Sequence, residues 1–127
     1  MKDKLVVAVF ENDGLNRFIY QRMFNLQQDH ITYFIFDNPE DGIVSAQEIT
    51  LNVAFIDLHF RGDPFSGLEV ASKLKAISST IVLIAMTTLV QEGDWDRAKQ
   101  VGFKKLLEKP IPFYDLQKLF SNLDNDT

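Results

Sequence analysis

Four short apolar runs of this sequence each end in side chains that could carry out chemistry. In chain order, these side chains are Glu11 with Asn12 and Asp13, then Asp57, then Thr87 with Thr88, and finally Lys109. Neighbouring carboxylates repel one another, and a hard divalent cation such as Mg²⁺ relieves that repulsion while keeping several of its waters. A hydroxyl and an ammonium group beside them suit the oxygens of a phosphoryl group in transfer. The set therefore favours phosphoryl chemistry at Asp57, with Mg²⁺ as cofactor.

Each member of the set, taken alone, has an ordinary structural explanation. A threonine at the end of a strand is common because it is β-branched, and a lysine before a proline is typical of a solvated loop. The segment Glu11–Gly14 has the composition of a turn. The combination is more specific, because chance rarely places an acid, a threonine and a lysine after successive strands of one sheet.

Five apolar runs predict five strands, and segments of helical spacing separate them. The predicted strands are Leu5–Phe10, Ile31–Phe36, Asn52–Asp57, Ile81–Met86 and Lys105–Leu107. Connections of this length join parallel strands through right-handed crossovers. The expected fold class is therefore α/β, a single doubly wound five-stranded parallel sheet with helices on both faces. Because parallel strands all end at one edge, the polar side chains should converge there.

The helical segments carry their own signals. Asn38 followed by Pro39 predicts a capped helix start, and Gly102 predicts a helix end. The first helix has apolar residues at helical spacing, which predicts that they form its buried face. These residues are Leu15, Phe18, Ile19, Met23 and Leu26.

Composition narrows the class of protein further. A chain of 127 residues is enough for one domain, here 1–127 with a core at about 4–124. The net charge of −5 argues against a nucleic-acid surface, and the absence of cysteine excludes disulfides and zinc–thiolate sites. No apolar run approaches the roughly 20 residues of a membrane span, and the N-terminus does not resemble a secretory signal. We therefore expect a cytoplasmic protein with no membrane or nucleic-acid partner.

The pattern resembles the receiver domain of two-component response regulators, over Leu5 to about Leu123. The matching motifs are VFENDG, VAFIDLHF, FSGLEV with Gly67, IAMTT and LEKPI. The resemblance implies a flavodoxin-like (βα)5 fold with strand order 2-1-3-4-5. It also implies that a histidine kinase or a phosphotransfer protein phosphorylates Asp57. Mg²⁺ would be held by Glu11, by Asp57 and by the backbone carbonyl of His59.

The sequence departs from the family pattern at several positions. Asn12 stands where the family usually has a second acid, and Asp13 follows one position late, as a further candidate ligand. Leu106 occupies the position of the aromatic switch residue, and Thr88 the position of a smaller residue. The loop between Asp57 and Gly67 is about two residues longer than is usual in the family. The resemblance therefore implies an altered metal site and an altered coupling from Thr87 to Leu106.

Three functions remain open from the sequence. The first is a phosphorylation switch that is not an enzyme beyond its own phosphorylation and dephosphorylation, and that signals through a downstream protein or a homodimer. The second is a pseudo-receiver, an interaction module without phosphoryl chemistry, which Asn12 favours. The third is a Mg²⁺-dependent phosphohydrolase, although such enzymes place a second acid where this chain has His59. A flavin-binding protein is disfavoured because the acidic turn after the first strand would repel a phosphate.

Overall fold

The computed structural model describes residues 4–60 and 66–125, and within them strands and helices alternate. The strands are β1 (Leu5–Phe10), β2 (Ile31–Phe36), β3 (Val53–Asp57), β4 (Val82–Thr87) and β5 (Phe103–Glu108). The helices are α1 (Gly14–Asn25), α2 (Pro39–Glu48), α3 (Ser66–Ile77), α4 (Asp94–Val101) and α5 (Phe113–Asn125). Part of the loop between Asp57 and Gly67, whose length the sequence singles out, lies outside the described residues.

The five strands form one parallel sheet in the order β2-β1-β3-β4-β5. This topology confirms the doubly wound α/β fold and the strand order 2-1-3-4-5. Strand β5 is longer than predicted, because Phe103, Lys104 and Glu108 belong to it as well. None of the helices within residues 4–60 and 66–125 is long and apolar enough to cross a membrane.

Two apolar layers hold the helices against the sheet. On one face, α2, α3 and α4 pack on residues such as Ala54 and Ile56 of β3. On the other face, α1 and α5 pack on Val53 and Phe55 of the same strand. Strand β3 is therefore buried on both sides, which explains its uninterrupted apolar sequence. The layers leave its last residue, Asp57, at the carboxyl edge of the sheet.

The predicted buried face of α1 is wrong. The helix buries Tyr20 and Phe24, while Leu15, Phe18, Ile19 and Leu26 are exposed and Met23 is only partly buried. Phe24 lies against both Phe55 and Phe120, with ring centroids 6.0 and 5.8 Å away. Aromatic contacts of this kind bury a large area, so they orient the helix more strongly than the smaller gain from burying the predicted stripe.

The signals at two other helices are confirmed. The side chain of Asn38 accepts a hydrogen bond of 2.8 Å from the backbone N–H of Asp41, so it caps α2 as predicted. Gly102 ends α4 with φ at 112°, in the left-handed region that favours glycine.

Gly67 lies directly beneath the functional edge of the sheet. Its backbone N–H donates a 3.0 Å hydrogen bond to the carbonyl of Leu58. A Cβ atom added at this position would overlap the carbonyl oxygen of Asp57 and lie 2.6 Å from Cα of Leu58. Because these neighbours are backbone atoms, they cannot move aside as a flexible side chain would. The close approach of α3 to the end of β3 therefore requires glycine.

We expect Gly67→Ala to destabilise the fold by about 2 kcal/mol or more, because the overlap must be relieved by moving the backbone. The measurement is the free energy of unfolding in urea. The matched control is Gly14→Ala in α1, where an added Cβ meets nothing nearer than Arg17 Nη2 at 3.5 Å. Equal unfolding free energies for the two alanine variants would contradict this account of the α3 contact.

Candidate functional site

A cavity of about 390 Å³ opens at the carboxyl edge of the sheet. Its lining residues come from the ends of β1, β3 and β4, from the segment after β5 and from the start of α1. They are Glu11, Asn12, Asp13, Asn16, Asp57, His59, Thr87, Thr88, Leu89, Gln91 and Lys109. The predicted convergence of the strand-end residues is therefore present in the structure.

A larger groove, of about 470 Å³, lies between α2 and α3. Its floor is apolar, and its charged rim includes the pair Glu69 and Lys73, whose side chains are mostly exposed. Buried charges are costly and are kept where they have a task, whereas exposed pairs of this kind contribute little. We therefore place the functional site at the smaller cavity, which contains buried charged groups.

The centre of the cavity is an ion-paired cluster of three side chains. The Lys109 ammonium donates a 2.8 Å hydrogen bond to Oε1 of Glu11 and a 2.9 Å hydrogen bond to Oδ2 of Asp57. All three side chains are nearly inaccessible to solvent. The three residues lie far apart in sequence, so the sheet alone brings them together. Among the cavity-lining residues that the structure describes, Lys109 is the one permanent cation.

The cluster changes the acidity of two of its members. Burial raises the pKa of the Glu11 carboxyl, and the nearby Asp57 charge raises it further, while Lys109 acts in the opposite direction. For Lys109, burial alone would lower the pKa, but the hydrogen bonds to Glu11 and Asp57 outweigh it, so the pKa is raised. Lys109 therefore keeps its proton. With both carboxylates ionised, one ammonium against two acids leaves a net charge of about −1, which attracts a further cation.

Asp57 uses both oxygens of its carboxylate. Oδ2 accepts from Lys109, and Oδ1 accepts a 2.9 Å hydrogen bond from the backbone N–H of His59. The backbone N–H of Leu58 donates to the carbonyl of Met86 at 2.9 Å, which extends the β3–β4 pairing beyond the acid. The carboxylate is thus fixed in orientation and still borders the cavity.

Thr87 is buried at the end of β4, and its hydroxyl donates a 3.3 Å hydrogen bond to the carbonyl of Leu89. The backbone carbonyl of Thr87 also accepts a 2.7 Å hydrogen bond from the backbone N–H of Lys109.

The loop beyond Thr87 has a second attachment at the start of α4. There, buried Asp94 accepts a 2.7 Å hydrogen bond from the N–H of Gln91 and a 2.7 Å hydrogen bond from Arg97. The loop is therefore held at both ends.

Leu106 does not reach the cavity. It is partly buried on β5, paired in register with Ala85, and packs into the layer beneath α2, α3 and α4. Two polar residues that border the cavity, Asn16 and Gln91, are absent from the sequence prediction. Neither follows a strand directly, because Asn16 comes from the first turn of α1 and Gln91 from the loop before α4. Strand-end position, the signal that identified the others, could not find them.

The donor chemistry of the cavity fits Mg²⁺. Mg²⁺ is commonly bound by one or two carboxylates while keeping several waters, and Glu11 and Asp57 supply two carboxylates. Asn12 and Asp13 are exposed at the same rim, and the N–H of Asp13 lies 3.4 Å from Oε2 of Glu11. Within residues 4–60 and 66–125, no three acidic or histidine side chains are grouped as a metal site. The chain thus offers a two-carboxylate site with amide and backbone oxygens.

The sequence profile of the response regulator receiver domain matches residues 7–121, which is most of the chain. This chain belongs to the response regulator receiver domain family. Receiver domains are signalling modules. No curated protein sequence matches this receiver domain significantly.

Solved receiver domains share the fold at low sequence identity. A CheY-like receiver domain from Methanospirillum hungatei is 16% identical, with a TM-score of 0.81 over 97% of this chain and 96% of that chain. The receiver domain of a Pseudomonas aeruginosa sensor histidine kinase is 17% identical, with a TM-score of 0.78 over 95% and 98%, and has a magnesium ion coordinated in its active-site cleft. A Burkholderia pseudomallei response regulator with a phosphorylated aspartic acid and a calcium ion is 16% identical, with a TM-score of 0.74 over 98% and 72%.

We expect Lys109→Met to lower the stability of this receiver domain by about 3 kcal/mol at neutral pH, because it leaves two buried carboxylates without a cation. Added Mg²⁺ should restore part of the loss, because a cation held by Glu11 and Asp57 would reduce their repulsion. Thermal unfolding followed by circular dichroism, with and without Mg²⁺, measures both effects.

The control is Lys105→Met, which removes an exposed ammonium from β5 and should change the melting temperature little. If Lys109→Met and Lys105→Met melt together, the ion-paired cluster does not stabilise the fold.

Proposed function

We propose that this receiver domain is a phosphorylation switch in which Asp57 accepts a phosphoryl group from a histidine kinase or phosphotransfer protein. The observation that supports this most directly is the ion-paired cluster of Asp57, Glu11 and Lys109 at the open edge of the sheet. A buried carboxylate oriented by two donors and bordering a polar cavity is suited to act as a nucleophile.

The proposed reaction transfers one phosphoryl group. A carboxylate oxygen of Asp57 forms a bond to phosphorus, and the bond from phosphorus to the donor breaks, with its electron pair leaving on the donor. Lys109 is already 2.9 Å from Oδ2, so its ammonium can follow the developing charge on the phosphoryl oxygens with little movement. Thr87 borders the same cavity and supplies a neutral donor.

Mg²⁺ would be held by Glu11 and Asp57, with Asn12, the backbone carbonyl of His59 and Asp13 as further oxygen donors. When bound, it neutralises negative charge that would otherwise oppose the approach of a phosphate to two acids. The composition of the three-residue cluster supports this assignment, since two carboxylates share a single ammonium.

The readout would begin at Thr87. A hydroxyl that donates to the neutral carbonyl of Leu89 can instead donate to a charged phosphoryl oxygen, and bonds to charged acceptors are about twice as strong. The exchange releases the Leu89 carbonyl and favours a second position of the loop that carries the exposed residues Leu89 and Val90. A downstream protein would bind the altered surface.

One observation favours the rival function, a pseudo-receiver that does not accept a phosphoryl group. Asn12 carries no charge, so the position that usually holds the second acid in the family supplies no carboxylate here. The two functions make opposite predictions for labelling by a small phosphodonor.

We expect acetyl phosphate with Mg²⁺ to add one phosphoryl group per chain, detected by intact mass spectrometry. Asp57→Asn, which keeps the shape of the side chain, should abolish the addition. Asp96→Asn is the matched control, because it removes an exposed acid on α4, outside the cavity lining, and should leave the labelling intact. Absence of label in the wild type would favour the pseudo-receiver, and label that persists in Asp57→Asn would place the acceptor elsewhere.

We expect Asn12→Asp to tighten Mg²⁺ binding about tenfold, because an added charge near the cation contributes on the order of 1 kcal/mol in a partly solvated site. Isothermal titration calorimetry measures the affinity. Asn16→Asp adds the same charge elsewhere in the cavity lining and should have a smaller effect. Equal tightening by the two variants would show a general charge effect and would exclude position 12 as a specific ligand position.

A further inference from the structure

The two edges of the sheet are built differently. Strand β5, at one edge, has the sequence FKKLLE, with exposed lysines and an irregular register against β4 between Leu83 and Ile84. Charges and irregularities of this kind prevent an edge strand from pairing with another chain. Strand β2, at the other edge, has the sequence ITYFIF and pairs in unbroken register with β1. It contains no charge, no proline and no glycine, so none of these protections is present in β2.

The hydrogen-bond pattern shows which backbone groups of β2 face outward. The N–H of Leu5 donates to the carbonyl of His30, and the N–H of Glu11 donates to the carbonyl of Phe36, each at 3.1 Å. Because a parallel ladder alternates with a period of two, the even-numbered residues of β2 face β1. The backbone groups of Tyr33 and Ile35 therefore face away from the sheet. No described residue forms a backbone hydrogen bond with them beyond the ladder.

Apolar surface borders this edge on both faces of the sheet. On the α1 face, Tyr33 and Ile35 line a groove of about 430 Å³ together with Phe18 and Gln21. On the opposite face, Phe34 stacks on Phe36 and is still 39% exposed. A strand added at this edge would thus gain backbone hydrogen bonds and contacts on both faces, which is the geometry of strand addition.

We propose that the β2 edge is an interface between two copies of this chain, with the two β2 strands antiparallel and the sheets joined into one. An antiparallel edge can pair with itself around a two-fold axis, and the same uncharged sequence then serves both copies. The interface goes beyond the proposed phosphorylation, because Asp57 lies on the central strand and takes no part in it.

Two constraints select the register of the pair. Hydrogen-bonded pairs must join outward-facing residues, so the two-fold axis passes through a single residue position. An axis at Tyr33 would pair Ile31 with the second copy's Ile35, although the backbone N–H of Ile31 already donates a 3.0 Å hydrogen bond to the carbonyl of Gln27. An axis at Phe34 pairs Tyr33 with the second copy's Ile35 and sets Phe34 opposite itself.

Backbone hydrogen bonding favours the second register. With the axis at Phe34, the two strands pair through Tyr33 and Ile35, so the hydrogen bond from Ile31 to Gln27 stays intact. The Phe34 pair is also non-hydrogen-bonded, so its Cβ atoms would lie only about 4.5–5.5 Å apart.

The absence of cysteine from the natural chain allows a specific crosslinking test. In Phe34→Cys, the two thiols would meet within the range of disulfide geometry, and a mild oxidant should join the copies as a band of dimer size on a non-reducing gel. Val44→Cys is the matched control, because Val44 is 52% exposed on α2. The expected result is at least tenfold faster crosslinking of Phe34→Cys. Equal rates for the two variants would overturn the proposal.

Sedimentation equilibrium tests the unmodified interface. The wild type should self-associate to a dimer, and Phe34→Lys should weaken association at least tenfold because it sets two ammonium groups opposite each other. Tyr114→Lys, at an exposed position on α5, should leave association unchanged. A monomeric wild type at high micromolar concentration, or dissociation by Tyr114→Lys instead of Phe34→Lys, would overturn the proposal. These outcomes do not depend on Asp57, so they are independent of whether the chain is phosphorylated.

Discussion

The ammonium group of Lys109 shared between Glu11 and Asp57 is the interaction on which the functional edge depends. The contact spans 98 residues to Glu11 and 52 residues to Asp57 along the chain, so it forms only when β1, β3 and the end of β5 are all in place. Without the ammonium, two nearly inaccessible carboxylates would repel each other across the carboxyl edge of the sheet. The fold therefore tolerates the two neighbouring carboxylates because the segment after β5 places the Lys109 ammonium between them.

The same cluster connects structure with the proposed chemistry. Its charges are unequal, and the burial that raises the pKa of Glu11 also strengthens every electrostatic interaction in the cavity. A phosphoryl group or a cation that enters the cavity would therefore alter the interactions between the two carboxylates and Lys109 strongly. The same added charge beside an exposed acid would be screened by water and salt. Among the residues that the structure describes, the neighbouring hydroxyl of Thr87 donates only to the neutral carbonyl of Leu89, so this hydrogen bond can be exchanged at least cost.

Much of the fold and most of the site followed from the sequence, because a parallel sheet brings all its strand ends to one edge. Glu11, Asp57, Thr87 and Lys109 were predicted for this reason. The orientation of α1 was predicted wrongly, since two stripes of the helix have apolar spacing and the choice depends on the contact of Phe24 with Phe55 and Phe120. Gln91 was missed because the attachment of its backbone to Asp94 is a local loop contact without a periodic signal.

The unequal attachments of the loop after β4 have a mechanical consequence. At its first end the loop is joined to β4 by one long hydrogen bond between neutral groups, from Thr87 to the carbonyl of Leu89. At its second end it is anchored by Asp94, which is itself ion-paired with Arg97, and by the left-handed turn at Gly93, with φ at 85°. When the loop is displaced, the weaker attachment, which is the hydrogen bond from Thr87 to Leu89, breaks first. The loop would therefore move about its attachment to α4, with Leu89 displaced most and α4 staying in place.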